Sequence, residues 1–384
     1  MILVFAFHRT KNYGAVSPFN EIFLTKISLK NRVTVISVRN ISLHRRLIYT
    51  EDFGTYKVIE VSAFLLPGKY TNFFLKKINY IIAKIIYNVL KKRKLLKGIT
   101  IVHQIGLFTP IGYYFSNFCN VNFILQLIGN DKYNFESWKI PYRPSLMITT
   151  NSKVLSQGIP GNLQTKVIYR GVDLSLHDDW KEPVFFTYNK IFFGGGFPDY
   201  RERPDFKRYN YKGGLSLIDI AGKLGGYSIT IAGPNCAIGS EYAKKFNHNN
   251  IVFLFYLDHL DLLLQLRQTD IVVIPSLDEG IANIAMEAML AEKLVISRRV
   301  GGMPELIQNS QNGLLFNTDH ELENILMELM EASRNHKVAL FDTMRRNAKI
   351  TIMKNFDHQN MINQYAELYS RAKKSDYYRQ IIEP

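Results

Sequence analysis

Two glutamates have the right types and spacing for chemistry. Glu287 lies in a run that is otherwise apolar almost all round: Ile284, Ala285, Met286, Ala288, Met289, Leu290 and Ala291. That is the pattern of a helix sunk in a domain. A carboxylate there is costly unless it is paired or hydrogen-bonded, so Glu287 needs a partner. Eight positions earlier, Glu279 stands beside Gly280 in the stretch Leu277 to Ala282. Ahead of it, the β-branched run Ile271 to Ile274 ends at Pro275-Ser276 and reads as a buried parallel strand. After it, Asn283 is a good N-cap residue for the helix. Glu279 therefore falls in a loop at the carboxyl end of a strand, the edge at which open α/β sheets bind ligands.

The sequence offers no competing centre. No carboxylate pair has a glycosidase-like context, no Ser/His/Asp order is present, and no Cys/His cluster has metal-ligand spacing. Asp258 and Asp261, in LDHLD, do not make a metal motif. Cys119 and Cys236 are far apart, which argues against a disulfide framework and for a reducing compartment.

The string from Ile271 to Phe316 holds EGIANIAMEAM, then VGGMPELI, then NGLLF. In that order it resembles the donor-site signature of family 4 retaining glycosyltransferases (glycosyl transferases group 1). Smaller stretches resemble the same family. Ile148-Thr149-Thr150-Asn151-Ser152 is similar to the strand that closes its first domain, and Val167 to Asp173 (VIYRGVD) to the segment before its linker. Phe193-Gly194-Gly195-Gly196 with Lys212-Gly213, and Ile229 to Pro234 (ITIAGP), are similar to the opening of its second domain. The resemblance covers most of residues 1–320, with gaps. It departs from the family at four places. Ile281 and Ala282 stand where an aromatic, then Gly or Pro, is usual. Residues 198–210 are an insertion. The loop Lys11 to Val16 keeps only Gly14 of a glycine pair. Ile128-Gly129-Asn130-Asp131 lacks the family's histidine.

The resemblance implies a nucleotide-sugar donor held mostly by the second domain. Glu287 would accept from both ribose hydroxyls, as one carboxylate can. Glu279 and the backbone of Gly280, Ile281, Ala282 and Asn283 would face the donor sugar and diphosphate, where a helix N-terminus suits phosphate. Lys212 would neutralise the departing diphosphate, with Arg208 preferred as its companion over Arg201 and Arg203. Gly14, Gly195 and Gly233 complete the expected donor contacts. His103, Gly129 and Asp131 are candidates for the acceptor side and the cleft. Retention in this family is thought to need no protein nucleophile, and neither a metal nor a cofactor is expected.

Positioning these residues takes two sheets. Strands are expected over Ile2–Phe7, Val33–Val38, Ile99–His103, Phe123–Ile128, Leu146–Thr150 and Lys166–Tyr169, with helices over Asn20–Lys30 and Phe73–Lys97. The scheme repeats at Ile191–Gly194, Ser228–Ala232, Ile251–Leu254, Ile271–Ile274 and Leu294–Ser297. Strand-helix alternation argues for doubly wound parallel sheets, and 384 residues suit two domains. The expected fold class is α/β, two Rossmann-like domains facing a cleft, as in the GT-B architecture. Residues 1–178 would form an acceptor domain joined by a last helix from about 359 to 384, and 179–358 a donor domain, with a hinge near Asp178–Pro183.

Apolar content of 47% and charged content of 21% are ordinary for a folded protein. The net charge of +15 is unevenly placed: residues 1–170 hold 24 Lys/Arg against 6 Asp/Glu, and residues 171–384 hold 24 against 27. An anionic partner for the first half follows. In the helix from Phe73, the apolar residues Phe74, Ile78, Ile81, Ile82, Ile85 and Val89 are expected on one face. Lys77, Lys84 and Lys91 fall on the other, closed by Lys92, Arg93 and Lys94, which suits an anionic membrane surface. No aromatic-plus-basic motif accompanies the charge, so nucleic acid is not an expected partner. The opening MILVFAF reads as a strand rather than a signal segment, and no apolar run approaches a spanning length. The expectation is a cytoplasmic enzyme, peripheral at the inner face of the cell membrane. It would move a sugar from a UDP- or GDP-sugar to a lipid-linked saccharide in lipopolysaccharide, O-antigen or capsule assembly. A sugar-nucleotide epimerase on the same fold and a non-catalytic glycan- or nucleotide-sugar-binding protein are the alternatives.

Overall fold

A computed structural model describes residues 1–6, 16–40, 48–63, 73–106, 110–128, 146–161, 163–177, 186–197, 210–221, 223–246 and 248–374. The chain divides into two compact units, Met1–Tyr169 with Gln359–Pro384, and Arg170–His358. The first division falls after Tyr169 and not at 178. Val172 bridges to Asp357, its N–H donates to the Phe356 carbonyl at 2.8 Å, and His358 N–H donates back to it at 3.0 Å, so this segment already belongs to the second unit. The expected hinge at 178–183 lies outside the described residues.

The first unit holds β1 (Ile2–Phe5), α1 (Val16–Ser28), β2 (Val33–Asn40), β3 (Ile48–Asp52), β4 (Lys57–Ala63), α2 (Phe73–Lys92), β5 (Ile101–Ile105), α3 (Ile111–Cys119), β6 (Asn122–Leu127), β7 (Leu146–Thr150), α4 (Lys153–Gln157) and β8 (Gln164–Val167). Its sheet runs β3-β4-β2-β1-β5-β6-β7-β8. All pairings are parallel except β3 with β4, an antiparallel edge that the sequence patterns did not suggest. β3 reads IYTED and is exposed along most of its length, so it lacks the apolar run that marks a buried parallel strand. The central strand β1 (ILVF) is apolar and buried at every position, and β5 (IVHQI) is buried along its whole length too.

The second unit holds β9 (Lys190–Gly194), α5 (Gly214–Ala221), β10 (Ser228–Ala232), α6 (Cys236–Lys244), β11 (Ile251–Leu254), α7 (His259–Arg267), β12 (Ile271–Ile274), α8 (Asn283–Leu290), β13 (Leu294–Arg298), α9 (Met303–Leu306), β14 (Leu314–Phe316), α10 (Asp319–Arg334) and α11 (Ala339–Asn355). Its six strands are parallel in the order β11-β10-β9-β12-β13-β14. The chain winds one way from β9 and the other way from β12. The loops after these two strands therefore flank the topological switch point, the preferred ligand crevice of such sheets.

The last helix, α12 (His358–Lys374), packs from Gln359 onward in the first unit. Met361, Ile362, Tyr365, Leu368 and Tyr369 are buried in one cluster with Ile2, Val4, Phe23, Leu24 and Ile124. Tyr365 OH lies 3.1 Å from Thr149 Oγ1, and Tyr369 OH lies 2.6 Å from His103 Nδ1. His103 is therefore not a cleft residue. It is fully buried in β5, with its ring stacked on Tyr365 at 5.4 Å between centroids. Burial pushes its pKa down to about 3, with Gln126 pulling weakly the other way.

α2 also departs from expectation. It ends at Lys92, so Arg93 and Lys94 follow in a turn. Its buried stripe is Asn79, Ile82, Ala83, Ile86 and Leu90, while Ile81 and Ile85 are 52% and 55% exposed. The helix is rolled by about 100°, one residue step, from the face that periodicity suggested. Lys77, Lys84, Lys91, Lys92, Arg93 and Lys94 are all exposed.

Candidate functional site

Glu279 is positioned by backbone. Leu277 N–H donates to the Tyr211 carbonyl at 2.7 Å, tying the loop after β12 to the stretch that carries Lys212. Gly302 N–H donates to the Gly280 carbonyl at 3.1 Å. Gly301 has φ of +50°, and a Cβ there would fall 1.6 Å from the Glu279 carbonyl oxygen, so only glycine lets the two loops meet. In this setting Lys212 Nζ donates to Glu279 Oε2 at 2.6 Å.

Gly195 and Gly233 lie at the same sheet edge. Gly195 N–H donates to the Ala232 carbonyl at 2.9 Å, and a Cβ on Gly233 would come within 2.4 Å of the Gly195 carbonyl oxygen. Their lack of side chains lets the ends of β9 and β10 close together.

α8 begins one residue earlier than Asn283 as N-cap would require. The N-cap is Ala282, which has no side chain to cap with, and Asn283 is the first helical residue. The Asn283 Oδ1 accepts from Arg170 Nη1 at 3.4 Å instead. Ile281 and Ala282 are buried, and the Ala282 N–H faces Met303 Sδ at 3.5 Å. The start of α8 thus carries no side-chain cap, and its helix dipole end faces the Glu279 loop.

Glu287 has the partner its burial demands. Its Oε1 lies 2.9 Å from His259 Nε2, at the first turn of α7. The imidazole pKa is raised, chiefly by that hydrogen bond, against the opposing effect of burial. Sequence reading missed His259, although it noticed the LDHLD stretch around it. Asp258 proves to be the N-cap of α7, accepting from Asp261 N–H at 2.9 Å, so neither aspartate has ligand geometry. Among the described residues no group of three His, Cys, Asp or Glu could hold a metal ion. Both cysteines are free, and burial pushes their thiols up to about 12 for Cys119 and about 11 for Cys236, which removes them as nucleophiles at neutral pH. Arg208, Gly14, Gly129 and Asp131 lie outside the described residues. The structure thus brings Glu279, Lys212, Glu287, Gly195, Gly233 and residues 280–283 to one edge of one unit. His103 is separate from them, in the core of the other.

Residues 206–332 match the family model described as glycosyl transferases group 1. That segment is similar to the group 1 glycosyltransferases. Two curated relatives of the chain are an uncharacterized 41.2 kDa protein in the cps region of Klebsiella pneumoniae and an uncharacterized glycosyltransferase of Methanocaldococcus jannaschii. The first is 25% identical over 163 residues, 42% of each chain. The second is 26% identical over 256 residues, 61% of this chain and 66% of that protein. The chain thus matches less than two thirds of the length of either relative. Among solved structures, sucrose-phosphate synthase from Thermosynechococcus elongatus superposes with a TM-score of 0.75 at 15% identity, covering 96% of this chain and 98% of that one. Anabaena HepE in complex with UDP-glucose gives 0.65 at 16% identity, covering 96% and 99%. The chain has the GT-B fold, two parallel-sheet α/β domains. No helix among the described residues is long and apolar enough to cross a membrane.

Proposed function

We propose that the chain is a retaining glycosyltransferase of the family 4 kind, moving a sugar from a UDP- or GDP-sugar to a lipid-linked saccharide in surface polysaccharide assembly. One observation carries the reading: two glutamates eight positions apart each hold a basic partner, Lys212 and His259, around the uncapped start of α8. The group 1 match over this segment, the cps-region relative and the UDP-glucose bound to a protein of the same fold support it.

In this reading Glu287 takes the ribose diol, and the N–H groups opening α8 take phosphate. Lys212 swings from Glu279 to the diphosphate and offsets its charge as the bond to the anomeric carbon breaks, leaving Glu279 to face the donor sugar. The acceptor oxygen attacks the same face, and its proton passes to the departing diphosphate. The protein supplies positioning and electrostatic stabilisation, with no protein nucleophile and no metal.

The acceptor class rests on the basic first half and on α2. Its outward face sets Ile81 and Ile85 among Lys77, Lys84, Lys91 and Lys92. Apolar side chains within a basic face suit the interface of an anionic bilayer.

The test is a thermal-shift panel of UDP, GDP, ADP and their common sugars, with wild type beside Glu287→Ala. A ligand that binds only the folded state raises apparent stability by mass action. One nucleotide should stand out, and its shift should vanish in the variant. Equal shifts in both proteins would reject the donor site. An assay without acceptor separates transfer from epimerisation, which alone would give a new sugar nucleotide.

A further inference from the structure

Glu287 belongs to α8, yet its carboxylate is fixed from another element. His259 is the first residue of α7, held in place by the Asp258 cap at the carboxyl side of β11. Its Nε2 lies 2.9 Å from Glu287 Oε1, and both side chains are mostly buried, at 29% and 13% exposed. A hydrogen bond to a charged group in such a setting is strong and directional. One carboxylate oxygen is thereby committed, and the other stays available. The charged groups bearing on the imidazole are Glu287 across from it and Asp258 beside it, and both favour the imidazolium.

We propose that His259 is a positioning residue for the nucleotide-sugar donor: it fixes Glu287 through Oε1 and presents Oε2 to the ribose diol. The inference rests on the donor-site reading above. It also gives the imidazolium a second effect. Glu287 by itself would repel a diphosphate approaching α8, and the positive partner offsets that charge. Donor binding therefore favours the protonated form. Affinity is greatest below the raised imidazole pKa and falls as pH rises through it, with proton uptake on binding in that window.

The experiment is isothermal titration with UDP-glucose and with GDP-mannose from pH 5.5 to 8.5. Neither probe titrates on its diphosphate in that range, because both are diesters. The proteins are wild type, His259→Leu, His259→Gln and Glu287→Ala, with folding checked by circular dichroism. His259→Leu should weaken the better probe by about 10-fold or more, the loss expected for a hydrogen bond to a charged group. His259→Gln, which keeps an N–H donor and loses the charge, should recover most of the affinity at pH 8 and show no pH dependence. Wild-type affinity for His259→Leu, or equal loss in both histidine variants, would overturn the inference. If Glu287→Ala weakens binding while His259→Leu does not, this inference alone fails. If Glu287→Ala binds as wild type, or neither probe binds, the donor-site reading fails with it.

Discussion

Lys212 and Glu279 neutralise each other at 2.6 Å across the two loops of the switch point, and that pairing sets what each can do without ligand. On the proposed donor site, replacing Lys212 by Ala would leave the diphosphate without its point charge in the transition state. Initial rates of nucleotide release should fall by about 100-fold or more, the usual loss for one electrostatic donor at a developing charge. The nucleotide-induced thermal shift should shrink much less, because the contact proposed for Glu287 with the ribose would persist. At this scale the need was legible and the answer was not. The apolar run around Glu287 announced a buried carboxylate, but its partner lies 28 positions away on another helix, where no local pattern marks it. Asn283 was misread by one position because an asparagine at a helix start is usually the cap. Here tertiary contact with Arg170 uses its side chain, and Ala282 takes the cap position.

At the scale of elements, Gly301 and α2 give separate tests. Gly301→Ala must displace the Glu279 carbonyl and also occupy a left-handed conformation, which alone costs about 1–2 kcal/mol. The second unit should lose stability in urea unfolding, and the variant should bind nucleotide poorly because the Glu279 loop moves. On α2, Ile81→Glu with Ile85→Glu should abolish co-sedimentation with phosphatidylserine vesicles and leave nucleotide binding in solution unchanged. Wild-type binding by this double variant would remove α2 from the membrane contact. The helix itself was readable from its 3.6-residue period, but which face is buried was not. Ile78, Ile82 and Val89 allow two orientations, and packing against the sheet and α3 selects the one that turns Ile81 and Ile85 outward. β3 and β4 were missed for a related reason: a polar edge strand has no apolar run to announce it, and its partner was overlooked with it.

At the scale of the molecule, the parallel sheets were legible because strands covered on both faces must be apolar, and eleven of the short apolar runs fell where strands formed. His103 shows the limit of that reading, since a histidine at a strand end looks the same whether a helix covers it or solvent does. Its burial gives a pH signature. The folded pKa is about 3 and the ordinary value is 6.5, so between them the unfolded chain binds a proton that the folded one does not. Stability of the first unit should fall as pH drops below 6.5, by about 1.4 kcal/mol per pH unit from this residue. Urea titrations at pH 7, 5.5 and 4.5 should show that slope reduced in His103→Gln. Truncation after His358 should be more severe. It strips Met361, Ile362, Tyr365, Leu368 and Tyr369 from the core, each worth about 1.5–3 kcal/mol, against a total stability of about 5–15 kcal/mol. Calorimetry should then show a single transition, that of residues 170–358, still raised by nucleotide.

The helix α12 also sets an order of assembly on the ribosome. Residues 170–358 emerge with all six strands of their sheet in hand, while the unit begun at Met1 still lacks a wall of its core. The half translated first is completed last, although domains usually fold in the order of synthesis. Until residues 359–374 arrive, Ile2, Val4, Phe23 and Leu24 lack the side chains of α12 that they pack against in the folded chain. A synonymous slow codon placed after residue 358 would lengthen that interval without changing a single side chain.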